Sequence, residues 1–234
     1  VNAGLAVVDE VGVEALTIRN VAKRAGAPAM TLYTHFDTKE ELLDLMYTEV
    51  SRRLYADNGN ATWQAELKAL CHQIRGVIVE HPHWTPLLVR VAPPLDIPIR
   101  ERLLAMMIAD GIPPGKALEG LTAAMVLTYG LTLVELRLRT PDGHSTIGKR
   151  LEQLKEWVAS EPRPNFPAQR AAFAAFSHFD LHENLEYSIL TLIRGLEAQQ
   201  AEAEAENETD RHTTPDSGPG RREAARALES DHAD

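Results

Sequence analysis

The chain has 234 residues, 44% hydrophobic and 25% charged, with a formal net charge of −10 and a single cysteine, Cys71. That composition belongs to a globular protein with a sizeable core, and one cysteine excludes both a disulfide framework and a multi-cysteine zinc site, which fits a reducing cytoplasm. The most apolar run, Leu118 to Leu138, is broken by Glu119, Gly120, Gly130, Glu135 and Arg137, and the opening residues carry no signal-peptide pattern, so no membrane partner is expected.

In chain order, nearly every segment with a clear period is helical, and the predicted fold class is all-α. Asn2 to Glu10 is a short helix closed by Gly12. Thr17 is a good N-cap for the next, whose Ile18, Val21, Ala22 and Ala25 form one apolar face ending at Gly26. Pro28 pre-sets a helix over about 28–35, which buries Leu32 and Phe36 and leaves Ala29, Met30 and Tyr33 on another face. Thr38-Lys39-Glu40-Glu41 is a capping box that opens a helix with Leu42, Leu43, Met46, Val50 and Leu54 inward. Beyond the break at 57–60, helices are expected over 63–80, 100–109, 114–139 and 145–160, with prolines breaking the chain around 82–98 and 161–167. A short helix over 168–176 follows. Asp180 then caps a last helix to about Glu197, with Leu181, Leu185, Ile189, Leu192 and Leu196 as its stripe.

The charge is unevenly spread. Residues 199–234 carry ten acidic and four basic side chains, and Leu228 is their one large aliphatic residue, so this segment is expected to be a disordered acidic tail. Residues 17–39 are locally basic, with Arg19, Lys23, Arg24 and Lys39 against Asp37, an electrostatic footprint for DNA inside an acidic chain.

Two short helices joined at a glycine, the second presenting a non-core face, form a helix-turn-helix, whose second helix enters the major groove. The run Leu16 to Leu42, LTIRNVAKRAGAPAMTLYTHFDTKEEL, resembles the signature of the tetracycline-repressor (TetR/AcrR) family of transcriptional regulators. The resemblance is strong over residues 3–50 and only architectural beyond. It implies a homodimer with one DNA-binding and one ligand-binding domain. The expected domains are a DNA-binding unit over 1–48, an effector-binding and dimerisation unit over 49–198, and the tail over 199–234. The chain starts inside its first helix, which reads either as a late start or as a short arm.

On the motif, Thr17 caps its helix and could offer its hydroxyl to a phosphate, and Arg19 could reach a phosphate or a guanine edge, or be a solvated surface arginine. Pro28, Ala29 and Met30 begin the recognition helix. Ala29 and Met30 suit thymine methyl groups, with Thr31 and Thr34 as weaker contacts. Tyr33 and Lys39 are assigned to phosphates, Lys39 because a cation at a helix N-terminus opposes the dipole and wants a partner. His35 either adds a phosphate contact or covers the turn.

No metal site, cofactor or catalytic constellation is expected. His81-Pro82-His83 lacks a third ligand nearby, His178 and His182 straddle the cap at Asp180, and no nucleophile elbow, phosphate loop or HExxH pattern is present, so the chain reads as no enzyme. The resembled family's imidazole at the end of the fourth helix has no counterpart between His35 and His72, which argues against a magnesium-chelated tetracycline. Trp84, Leu88, Leu103, Met106, Met107, Met125, Tyr129 and Phe176 are candidates to line a pocket for a mostly apolar effector. Dimer contacts are expected from one of two apolar rows on the helix 114–139, either Leu118, Leu121 and Met125 or Ala117, Ala124, Thr128 and Leu131, together with Leu190 and Ile193 of the last helix. The competing class is an α-helical binding or enzymatic domain without DNA affinity.

Overall fold

The computed structural model describes residues 1–56, 58–88, 97–139, 146–160, 166–175 and 180–213. Among them the chain is helical, with α1 (Asn2–Val11), α2 (Ile18–Ala25), α3 (Ala29–Leu32), α4 (Lys39–Leu54), α5 (Trp63–Glu80), α6 (Thr85–Leu88), α7 (Ile97–Ala109), α8 (Pro114–Arg137), α9 (Ile147–Ser160), α10 (Pro167–Ala175) and α11 (Leu181–Thr213). The all-α expectation holds, and the helices start where the sequence places their caps. Thr17 accepts from the Asn20 amide at 3.1 Å, Thr38 from Glu41 at 3.1 Å and Asp180 from Glu183 at 3.0 Å. Gly26 ends α2 in the left-handed region at φ 65°, where a side chain would be strained.

Leu5, Val8, Leu16, Val21, Leu42 and Met46 close a small N-terminal core, which runs without interruption along Val50 and Leu54 of α4 into Leu67, Leu70 and Ile74 of α5. The α4 helix is thus both the last piece of the N-terminal unit and the first piece of the body. Among the described residues α8 alone is long and apolar enough to span a membrane, and α5, α7 and α11 pack around it and bury part of that apolar surface as core. Gly120 lets α11 approach: a Cβ there would meet Leu196 at 2.6 Å.

Several expectations need correction. The third helix is one turn, after which the chain continues through Thr34 and His35 bonds to the carbonyls three residues back, at 3.3 and 2.9 Å. Threonine competes with helix hydrogen bonds here, since Thr34 Oγ1 donates to the Thr31 carbonyl at 2.7 Å. Ala25 is exposed and Leu32 half-buried, because α2 and α3 are too short for their ends to reach the core that holds Val21 and Phe36. The last helix runs on to Thr213 instead of stopping near Glu197, so residues 199–213 are ordered helix, whereas 214–234 lie outside the described residues. Alternating alanine and glutamate favour a helix without needing a core, and Gln200 and Glu204 border Gly111 between α7 and α8. Of the two rows proposed for the dimer, Ala117, Leu121, Ala124, Met125 and Thr128 are buried within the protomer, as is Ile193. Three neighbours around α8 consume more of its surface than two rows allow. The apolar face left open is Leu118, Val126, Leu133 and Val134 of α8 with Tyr187 and Leu190 of α11.

Candidate nucleic-acid interface

Everything expected to touch DNA lies at the surface of α2, α3 and the start of α4. Thr17, Arg19, Pro28, Ala29, Met30, Thr31, Tyr33, Thr34 and His35 are exposed and Lys39 is half-buried. Met30, at 77% exposure, is the most open large apolar side chain among the described residues, and it stands at the tip of α3. Tyr33 rests its ring against Phe36, centroids 6.4 Å apart, so the phenol is propped outward from a buried neighbour. Pro28 enters α3 at φ −60°, where its ring costs nothing and its missing N–H is not needed.

Cations flank this apolar tip. Arg19, Lys23 and Lys39 form no ion pair among the described residues, whereas Arg24 is taken by Glu10 of α1. The Thr17 hydroxyl is already engaged with Asn20, leaving its own proton for a phosphate oxygen. The Asp37 amide donates to Glu41 at 2.6 Å, which fixes the turn between Phe36 and α4 and with it the position of Lys39. Chemically the surface combines methyl and thioether groups at the tip of α3 with a phenol, hydroxyls and cations around it. It suits base methyl contacts framed by phosphates.

The residues assigned to a ligand pocket are brought together, but as packing. Trp84, Leu103, Met107 and Met125 are buried, and Leu88, Met106 and Tyr129 pack half-buried against the same core, while Phe176 lies outside the described residues. The open groove of 510 Å³ is elsewhere, between α8 and α11, lined by Ala123, Leu127, Tyr187, Thr191, Leu192 and Gly195 among others. Buried polar atoms near the body's junction with α4 are left without partners: Ser51 Oγ, Gln73 Oε1 and Trp84 Nε1. Sequence reading missed these, and also the bond between the Tyr55 and Tyr129 hydroxyls, 2.6 Å apart, that ties α4 to α8. No local pattern announces a contact between residues so far apart in sequence. Burial pushes the Cys71 thiol up to about 11 despite its hydrogen bond with Thr128, which keeps it inert at neutral pH.

The family of bacterial regulatory proteins named for TetR matches residues 1–46, and the tetracyclin repressor-like C-terminal domain matches residues 56–200. The chain belongs to the TetR family. It is a DNA-binding transcriptional regulator, and the competing class without DNA affinity is set aside. An HTH-type transcriptional regulator from Saccharopolyspora erythraea is 30% identical over 77% of this chain and 78% of its own length. The class D tetracycline repressor of Escherichia coli is 24% identical over 85% of this chain and 88% of its own. Among solved structures, ActR of Streptomyces coelicolor in complex with actinorhodin superposes with a TM-score of 0.65 at 23% identity, covering 85% of this chain and 95% of that one. At that identity the likeness of this TetR-family chain to ActR is one of fold.

Proposed function

We propose that the protein is a cytoplasmic homodimeric repressor, reading a two-fold DNA site with residues 1–48 and released by a mostly apolar small molecule bound within residues 49–198. The observation that carries the DNA half is the exposed Met30 and Ala29 at the tip of α3, framed by Arg19, Tyr33 and Lys39. In this reading Ala29 and Met30 contact thymine methyl groups, Thr31 and Thr34 give secondary contacts, and Thr17, Arg19, Tyr33, His35 and Lys39 hold phosphates. Two copies pair through Leu118, Val126, Leu133 and Val134 of α8 and Tyr187 and Leu190 of α11, an apolar face that a solitary protomer would expose to water.

For the effector half, support comes from Met106, Met107 and Met125, flexible side chains that can repack around a guest, and from ActR, whose complex with actinorhodin shows that this fold accepts a small molecule. The unpartnered Trp84 Nε1 and Gln73 Oε1 offer one donor and one acceptor to an otherwise apolar guest. Release requires the guest to favour a conformation whose two recognition helices no longer match successive major grooves, about 34 Å apart.

Selection of bound sequences from random duplex DNA tests the reading. The expected product is a pair of inverted half-sites whose affinity falls steeply with salt, because each phosphate contact releases counterions. Recovery of no common sequence would overturn it. Thermal-shift screening of apolar compounds, with operator titration of each hit, then finds the effector, and by linkage operator must weaken each true effector by the factor that the effector weakens operator.

A further inference from the structure

We infer that Asp9 and His81 form a latch that fixes the angle at which each DNA-binding unit leaves the body, and thereby the half-site spacing the dimer accepts. This rests on the two-fold DNA reading proposed above. Asp9 lies near the C-terminal end of α1, and both of its carboxylate oxygens approach Nδ1 of His81, at 3.0 and 3.2 Å. Its backbone carbonyl stands 2.9 Å from Nδ1 of His83. A carboxylate and a carbonyl can only accept, so in each contact the ring Nδ1 donates.

The segment from His81 to Trp84 is held from a second side as well. The His81 ring stacks flat on Trp84, centroids 3.7 Å apart and planes within 2°, and the Arg53 guanidinium of α4 sits 5.2 Å from the centre of the Trp84 ring. Arg53 is itself aimed by Glu49, one turn back along α4, at 3.0 Å. Pro82 stiffens the segment between the two histidines, and the His81 amide completes α5 by donating to the Val77 carbonyl at 2.9 Å. A rigid chain therefore runs from α5 through residues 81–84 to both α1 and α4. The covalent connection between the two units is α4 alone, and a single helix can bend or pivot about its contacts. Asp9 supplies a polar hold on α1, separate from the covalent connection through α4, and a second point of attachment turns a pivot into a fixed angle. This hold gives the histidine-proline-histidine run a role.

The effect has a ceiling that physical reasoning sets. Wrongly spaced half-sites can always be accommodated by breaking the latch, so the discrimination it adds cannot exceed the cost of breaking it. A hydrogen bond to a charged group at a partly exposed position puts that at about tenfold in affinity per protomer. Asp9 is a positioning residue, acting on DNA through the orientation of α3 and touching no base or phosphate itself.

The test uses the full-length protein and duplexes carrying the selected half-site singly, or paired with spacers altered by up to two base pairs. Each two-pair change rotates one half-site relative to the other by about 70°. Wild type should discriminate sharply between spacers. Asp9→Ala should lose about tenfold or more of that discrimination, and Asp9→Asn, which keeps an acceptor but no charge, should lie between them. Affinity for the single half-site should be the same in all. Alanine favours helix and removes a carboxylate from the C-terminal end of α1, where it opposes the dipole, so the variant keeps its fold. Spacing profiles that superimpose, or an equal loss on the single half-site, would overturn the latch. Paired sites bound no more tightly by wild type than single ones would overturn the dimeric reading beneath it.

Discussion

The N-terminal unit and the body follow opposite rules. In the first, the side chains proposed to act on DNA are those left outside: Met30, Tyr33 and Arg19 are exposed over a buried layer. In the second, the residues chosen for function are inside, packed among Leu103, Met107 and Leu121 in one continuous core. An exposed apolar side chain at the tip of a capped, two-helix frame carries information because free cations flank it. A buried methionine is what any core contains. On the proposed assignments, substitution in the N-terminal unit should separate function from stability, whereas in the body the same side chains would carry both.

The largest effect that sharpens this contrast is Leu103→Ala. Leu103 is fully buried in α7, and its truncation should cost about 2 to 5 kcal/mol of unfolding free energy in a denaturant titration. Next is Glu66, a buried carboxylate in the body. Burial pushes its carboxyl up, but hydrogen bonds from Asn58 and Asn60, at 2.9 to 3.1 Å, outweigh this and hold it below the ordinary carboxylate range. Its contribution is present above the ordinary carboxylate value and is lost as pH falls through the depressed one. Wild type should thus lose stability on acidification more steeply than Glu66→Gln, whose midpoint at neutral pH should be lower because Arg102 loses its charged partner at 3.4 Å. Equal acid slopes would remove Glu66 from the account.

On the other side of the contrast, Met30→Ala and Arg19→Ala should leave unfolding within about 0.5 kcal/mol of wild type. Each should weaken the selected operator by about 1 to 3 kcal/mol, measured by fluorescence anisotropy, and Arg19→Ala alone should also flatten the salt dependence. A stability loss matching the loss of affinity would erase the distinction between the two regions. Tyr33→Phe is smaller, about 1 kcal/mol per half-site for one phosphate hydrogen bond, again without change in thermal midpoint.

The frame of the N-terminal unit was legible because its signals are local. A cap at Thr17, a left-handed exit at Gly26 and a box from Thr38 to Glu41 each act within a few residues; the first two are realised, and of the box the Thr38 half is, with Glu41 accepting from the Asp37 amide instead of that of Thr38. The length of α3 was not legible, since apolar spacing at Leu32 and Phe36 is equally satisfied by one helical turn followed by tighter turns. In the body, periodicity located α5, α8 and α11, but could not say which faces of α8 are spent within the protomer, a matter of how many helices surround it. Hydrogen bonds between distant residues, Asp9 with His81 or Tyr55 with Tyr129, leave no trace in local spacing. The acidic segment as far as Thr213 departs from its expectation for a different reason. Lack of apolar residues argues against a core, and a core is not required for a helix that continues one already nucleated.

That last point leads to the smallest expected effect. Residues 199–213 extend α11, and its side chains beyond Leu196 that meet the body include Gln199 in the groove against α8 and Gln200 and Glu204 beside Gly111. Substituting glycine at Ala201, Ala203 and Ala205 removes about 1 kcal/mol of helix propensity at each. If the extension is a helix propagated from the packed part of α11, as its alanine and glutamate sequence indicates, that loss melts the extension and stops at the last packed turn around Leu196, which is buried against Gly120. Far-UV circular dichroism should lose the signal of about a dozen helical residues, while the thermal midpoint stays within about 1 °C because the global unfolding reaction no longer includes them. A drop of several degrees would show that the extension is part of the cooperative core, and that Gln200 and Glu204 hold the turn between α7 and α8 in place.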